Sequence, residues 1–450
     1  MATAACGGAP ASTSTGSPPT EAALPAASPS APEPGASQAP SAATPGAAPP
    51  VDGLALVKAL PLRAGPRFEL VASYADFLPK EECLHIFPGF TELAATPRGA
   101  WVVGACGVRL RYLDAKLERH TVPSRAMTVM MGVSCPAHRM YWSIWAASDE
   151  EAFVLGSPRC GPDPSAVWPN ELERFDGRRW MPIRAKFGAG DPHESDAFEI
   201  GGAEGMIYVL VQGDSWHGPP DHAVVRLAGT RVEERRSALG ATNRKLLELA
   251  RADPEKHAAA IPNVIPYDDY QALVATSRDE VWVVGARRQY VGRNAEGHGE
   301  PEKYVSGAVW QESKGVWSEY PIADEYLRAI SVAPDGTVFV AGDGLWRKKP
   351  DSKSFQRLES EWAVPELGYG AQSVVARAAD DVWIALGCGG DTCEGPIVLH
   401  HDGKALRRVD KAWSKAAPEE ARASRRPRLD AKPGGPVWLL GEQQLWKLGG

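Results

Sequence analysis

The sequence predicts an all-β fold: a seven-bladed β-propeller of four-stranded antiparallel blades, closed by an N-terminal strand and preceded by a disordered N-terminal tail. Three observations predict it. One short phrase recurs seven times along the 450 residues. Its apolar residues are consecutive, where a half-exposed strand would alternate them. The last repeat lacks its outer strand, and an apolar segment near the N-terminus has no partner of its own.

The phrase is clearest as DEVWVVG around Trp282 and DDVWIALG around Trp383. The other copies are RGAWVVG at Trp101, EEAFVLG at Phe153, MIYVLVQG at Tyr208, GTVFVAG at Phe339 and GPVWLLG at Trp438. Successive aromatics are 52, 55, 74, 57, 44 and 55 residues apart, a spacing that marks a repeat architecture. A short apolar run rich in Val and Trp, bounded by turn residues, suits a strand buried on both faces. Upstream of the phrase lies an inner strand a, as in QALVAT (271–276) and LRAISVA (327–333). The phrase itself is strand b. Downstream comes a more polar hairpin of strands c and d, turning at Asp176-Gly177 in LERFDGRRWMPI and at Asp402-Gly403 in VLHHDGKALRRV. A two-sheet sandwich is the competing fold, but its strands would show one polar face. The final unit runs RLDAK, PVWLLG, QQLWKL and then stops, so LALVKALPL (54–62) is expected to supply its fourth strand and close the ring.

Residues 1–50 form a separate region, rich in Ala, Pro, Ser, Gly and Thr, with Glu21 and Glu33 as its charged side chains and no aromatics. Such a stretch cannot bury enough apolar surface to offset the entropy of ordering, so a flexible tether is expected there and a propeller over 51–450. A helical insert is expected at about 236–266, because NRKLLELA follows Thr242 and DPEKHAAA starts with Asp253 as cap and Pro254 in the first turn. The net charge of -7 gives no support to a nucleic-acid or anionic-membrane partner. No apolar run reaches the ~18 residues of a membrane span.

With its D-[DE]-V-W-V-x-G phrases and DG hairpins, the chain resembles the bacterial seven-bladed repeat proteins of the YVTN, BNR and NHL kind, over residues 54–450. That resemblance implies a fold and often an exported protein; it names no ligand. In the tail, MATAACGGAPASTS places Cys6 after small residues and before Gly7-Gly8, which resembles the lipidation site of bacterial lipoproteins. Thr3 stands where leucine is usual, and a charged, then apolar, leader is absent before Cys6; a start upstream of Met1 would account for this. An ordinary cysteine in a flexible tail is the alternative.

The repeat also places the other cysteines. Cys83 and Cys135 each lie 18 residues before the aromatic of their blade, while Cys106 and Cys160 follow theirs by five and seven. The connection entering strand a and the b–c loop emerge on one rim, so Cys83–Cys106 and Cys135–Cys160 are expected pairs, with Cys388–Cys393 inside a single b–c loop. Disulfides argue for an oxidising, extracytoplasmic compartment and leave Cys6 as the odd cysteine. Zinc on Cys388, Cys393 and His400 or His401 is the weaker competitor, since no second pair stands nearby.

The long b–c loops of blades 2, 3, 4 and 6 share that rim, and loops on a rigid scaffold are where ligands usually bind. Arg287, Arg288, Tyr290 and Arg293 form a candidate cationic, stacking site, against a solvated loop whose arginines pair with Glu296, Glu300 and Glu302. In the blade 3 loop Trp216 and His217 are the candidate contacts; Asp214, Asp221 and His222 beside them match no metal spacing. No catalytic motif is present, and Asp268-Asp269 gains meaning only from geometry. The sequence therefore predicts a monomeric, extracytoplasmic binding module without cofactor or metal, taking a protein or glycan at the rim of blades 2 to 4. The alternative is a carbohydrate-active hydrolase or lyase with residues at the channel mouth. Two or more carboxylates converging there would favour the enzyme.

Overall fold

The computed structural model describes residues 60–63, 65, 67–77, 89–120, 125–128, 134–159, 170–185, 195–213, 222–229, 231–236, 265–290, 303–322, 326–359, 370–387, 397–409, 426–441 and 443–448. They form seven antiparallel sheets. Strands a, b, c and d of blade 1 are Phe90–Ala95, Gly99–Gly104, Arg109–Leu113 and Lys116–Arg119. Blade 2 has Ser134–Ala146, Ala152–Arg159, Glu171–Phe175 and Trp180–Ile183, and blade 3 has Ser195–Ala203, Met206–Gly213, His222–Ala228 and Arg231–Arg236. Blade 4 has Ile265–Ser277, Glu280–Tyr290, Lys303–Ser313 and Val316–Ile322. Blade 5 has Leu327–Val332, Val338–Gly342, Leu345–Lys348 and Gln356–Glu359, and blade 6 has Ala371–Ala378, Asp381–Leu386, Ile397–His401 and Leu406–Arg408. Blade 7 takes Arg428–Ala431, Val437–Leu440 and Gln444–Leu448 from the C-terminus, with Phe68–Ser73 as its outer strand. Each strand a packs against strand a of both neighbours, and blade 7 meets blade 1, so the sheets close into a ring.

The seven phrases are the seven strands b, and the ring explains why they do not alternate. A blade buries both faces, each against a different neighbour. Val281 and Val283 join a cluster with Tyr208 and Leu210 of blade 3, whereas Trp282 and Val284 join Val338 and Val340 of blade 5. In blade 1, Val102 packs toward Trp438 of blade 7 while Trp101 and Val103 pack toward Tyr141 and Val154 of blade 2. Each blade-to-blade interface has one such apolar cluster, seven among the described residues. The second acidic residue of the phrase also has a partner in blade 6. Asp381 accepts the Trp383 indole N–H at 2.7 Å, and Trp383 is fully buried.

The closing glycine of the phrase answers a distortion in strand a. Blades 1 to 6 each carry a register shift at Thr91, Trp142, Phe198, Gln271, Arg328 and Gln372, a β-bulge that sharpens the twist. Gly104, Gly156, Gly285 and Gly342 pair with the residue just before the bulge. A Cβ on Gly285 would stand 2.0 Å from the Asp269 carbonyl oxygen, and one on Gly342 1.9 Å from that of Tyr326. Only glycine lets the two backbones approach this closely.

The structure corrects four details. Phe68–Ser73, and not 54–62, is the closing strand, paired antiparallel with Gln444–Leu448. Phe68 and Ala72 are buried against different neighbours, Phe68 set edge-on to Trp383 of blade 6 and Ala72 in the cluster with Phe90 of blade 1. The end of the expected segment runs instead beside blade 6. Leu62 bridges Arg408 in parallel, Arg63 N donates to Arg408 O and Arg408 N donates to Pro61 O. Blade 2 gains a fifth strand, Arg125–Thr128, on the inner side of its strand a. The boundaries of the expected helical insert are strand, with Arg236 ending one and Ile265 opening the next; its centre lies outside the described residues. The long loops also begin later than expected. Ser157–Arg159, Gln212–Gly213, Ala286–Tyr290 and Lys303–Gly307 are paired strand, because backbone pairing in a hairpin tolerates polar side chains that face solvent.

Candidate functional site

The long loops spring from the rim where strands a begin and strands b end. On that rim two blades stand out by strand length. Strand a has 13 residues in blades 2 and 4, against six in blade 1 and four in blade 7. Strands b and c of blade 4 have 11 each. The added strand of blade 2 lies at the same end.

Within the blade 4 extension, hairpin register sets Asp268 opposite Arg287 and Tyr267 opposite Arg288. Arg287 Nη2 reaches Asp268 Oδ1 at 3.3 Å and Glu319 Oε2 at 2.8 Å. Arg288 Nε lies 2.7 Å from Asp269 Oδ2, and its Nη2 donates to the Tyr326 hydroxyl at 3.3 Å. Gln271 Nε2 donates to Asp269 Oδ1, and Arg328 lies over the Tyr326 ring. From blade 3, His222 accepts the Tyr270 N–H on Nδ1 and directs Nε2 toward Asp269 at 3.9 Å. Burial pushes the Asp268 carboxyl up to about 6, although Arg287 opposes the shift. Both arginines are held above their ordinary range by these carboxylates against the cost of burial.

The two described members of the predicted arginine site thus meet carboxylates of blade 4's own strands. The Tyr290 side chain, Arg293, Trp216 and His217 lie outside the described residues, as do Glu296, Glu300 and Glu302. Of the cysteines, Cys106 is disulfide-bonded and sits in a tight turn with φ of 58°. The pairing scheme, Cys6 included, lies outside the described residues. His400, a weighed zinc ligand, is engaged elsewhere: its Nε2 lies 2.9 Å from Asp381, and its Nδ1 accepts from Arg63 Nε at 3.2 Å.

A second polar group lies in the central channel, which the sequence reading did not anticipate. The seven strands a enclose a cavity of about 270 Å³. Leu93, Ile144, Ile200, Leu273, Ile330, Val374 and Leu429, one from each blade, ring it with aliphatic side chains. Beside that ring, Glu92 Oε2 lies 2.9 Å from Arg428 Nε, and Asp430 Oδ2 accepts the Ala95 N–H at 2.7 Å. Both contacts join blade 1 to blade 7 across the seam between the chain's two ends. Glu199, from blade 3, completes the group. Burial first, and then the Glu92 charge, push its carboxyl up to about 8, with Arg428 opposing. Burial likewise raises Glu92 and Asp430. Among the described residues, no three His, Cys, Asp or Glu side chains gather as a metal site requires.

No family model matches the chain, and no curated protein matches it. Solved structures that resemble it include YCF48 from Cyanidioschyzon merolae, at 13% identity and a TM-score of 0.47, covering 85% of this chain and 98% of that one. A candidate gluconolactonase solved by X-ray diffraction has 11% identity and a TM-score of 0.36 over 86% of this chain and 93% of its own. A luciferin-regenerating enzyme has 8% identity and a TM-score of 0.34, covering 67% and 88%. At these identities no activity transfers, and the propeller stands on its own seven sheets.

The channel group carries a pH prediction. The Glu199 carboxyl ionises near 4.5 in the unfolded chain but near 8 in the fold. Between those values the native state holds the extra proton, so this group's contribution to stability falls as pH rises through the window. Glu199→Gln is expected to flatten that fall. Urea midpoints near pH 5, about 7 and roughly 8.5 check it, and equal slopes for both proteins would show that Glu199 is ordinarily ionised.

Proposed function

We propose that the chain is a non-enzymatic, extracytoplasmic binding module that takes a protein or glycan at the rim of blades 2 to 4. The observation that carries this reading is the rigid extension of blades 2 and 4 beyond the other blades on that one rim. An internally neutralised arginine–carboxylate network braces it, so loops mounted there are held on a firm base. A channel of about 270 Å³ lies below the 300–1,000 Å³ usual for ligand pockets, which supports the rim over the channel as the place of recognition.

Photo-crosslinking in cells tests this. A crosslinker at Gln289, on the rim, is expected to capture one envelope component repeatedly, while one at Lys116, on the opposite rim of blade 1, does not. Equal capture from both positions would remove the rim site. The cellular address belongs to the same reading, with Cys6 as a lipid anchor, residues 1–50 as its tether and the pairs Cys83–Cys106, Cys135–Cys160 and Cys388–Cys393. Among the described residues no helix is long and apolar enough to cross a membrane, so attachment would rest on the lipid. An intact mass from the membrane fraction, with and without reduction, reads both features; seven reactive thiols on a lipid-free chain would overturn them.

One observation favours the second reading. Glu92 and Glu199 converge on Arg428 in the channel that Asp430 also lines, and at neutral pH Glu199 holds a proton that a hydrolase or lyase could donate. Turnover of an oligosaccharide that is lost in Glu199→Gln would establish it.

A further inference from the structure

A cleft of about 930 Å³ opens between blades 4 and 5, on the rim of the a–b and c–d turns, opposite the rim considered above. Trp282 and Tyr320 stack within it, with centroids 5.8 Å apart and planes 26° apart. Over both rings sits the Lys348 ammonium, 5.6 and 5.2 Å from their centres. Lys348 is only 7% exposed, and among the described residues its ammonium makes no hydrogen bond or ion pair. Burial lowers its pKa despite attraction from Glu280 and Asp351. Beside it, Glu280 accepts hydrogen bonds from Thr276 Oγ1 and Gln311 Nε2, and Gln311 Oε1 accepts from the Tyr320 hydroxyl at 3.0 Å.

We infer that this cleft is a binding site for a neutral glycan segment, separate from the rim of the long loops. The Lys348 ammonium lies over two aromatic rings at the edge of an open cleft and has no described oxygen partner, so its donors are free to meet a ligand oxygen. The described charges lining the cleft balance, Glu280 and Asp351 against Lys348 and Lys353, so the field selects neither anion nor cation. The remaining lining mixes donors and acceptors, and its aliphatic part is limited to residues such as Val274, Ala275 and Val332, which suits hydroxyls better than a large apolar ligand. Trp282 is itself buried, so the flat contact for a sugar ring's C–H face comes from the partly exposed Tyr320 ring stacked on it. The volume reaches the upper part of the ligand-pocket range.

Saturation-transfer NMR on the full chain tests this, with cellotetraose, chitotetraose and maltotetraose as neutral probes, and trigalacturonate and inorganic phosphate as anionic ones. At least one neutral probe is expected to bind, and Lys348→Met, which keeps the stem and removes the donors, is expected to weaken it at least tenfold. Ser318→Trp, at an exposed position lining the cleft, is expected to block it without disturbing the core. Lys116→Met, an exposed lysine on blade 1 outside both sites, is expected to leave affinity unchanged. Binding of only the anionic probes, no binding of the neutral set, or neutral binding indifferent to both cleft variants would overturn the inference.

Discussion

Glu173→Ala is expected to lose about 3–5 kcal/mol of stability, because it strands a buried arginine. Glu173 lies on strand c of blade 2 and is 5% exposed. Its carboxylate accepts from Arg109 Nη1 of blade 1 at 2.9 Å, from the Tyr141 hydroxyl at 3.1 Å, and from Arg139. Arg139 keeps Glu171 as a second partner at 2.8 Å. Arg109 has no such reserve: its side chain is 3% exposed and is wedged over the Trp180 and Tyr141 rings. The pair itself contributes far less than its rupture costs, since desolvation offsets most of the attraction. Replacing both partners, Arg109→Met with Glu173→Leu, is therefore expected to recover most of the loss. Urea unfolding of both variants beside Glu118→Ala, a solvent-facing ion-pair control, provides the comparison. A loss below about 1 kcal/mol for Glu173→Ala would mean that water reaches the Arg109 guanidinium.

Removal of the closing strand is expected to have a larger effect still. A chain lacking residues 1–50 should keep the stability and the oligomeric state of the full chain. A chain lacking residues 1–73 loses buried Phe68 and Ala72, and it bares the backbone edge of Gln444–Leu448. Burial of a phenylalanine side chain alone contributes about 2–3 kcal/mol, and an open edge invites pairing between copies. The expected outcome is a broad, early melting transition together with oligomers on size-exclusion chromatography with light scattering. A monomer that melts within about 2 °C of the full chain would show that blade 7 is stable with three strands.

Much of this fold was legible because burial on two faces writes itself into consecutive apolar residues. Each of the seven phrases could be placed as strand b from Trp, Phe or Tyr set among valines and leucines. What could not be read was register. A plain hairpin counted back from the Ser277–Glu280 pairing would set Asp268 opposite Gln289; bulges at Gln271 and Thr276 move it to Arg287. The partners of Arg287 and Arg288 were therefore invisible, although all four residues were in view. The channel group was hidden for a related reason. Glu92, Glu199 and Arg428 hold equivalent places in three distant strands, and only the closed ring brings them together. The closing strand was misplaced because LALVKALPL is the more apolar run, whereas the outer strand of a blade is largely exposed, and in FELVAS only Phe68 and Ala72 are buried.

The bond between Phe68–Ser73 and Gln444–Leu448 also sets an order of events in time. The strand Phe68–Ser73 cannot meet its partner until the six blades between them have been made, since Phe68 pairs with Leu448. Contacts so distant along the chain carry the largest loop-closure cost and form late. Until then blade 7 lacks its outer strand and the ring has no lock. Completion is a single late event, made by the two ends of the fold finding each other.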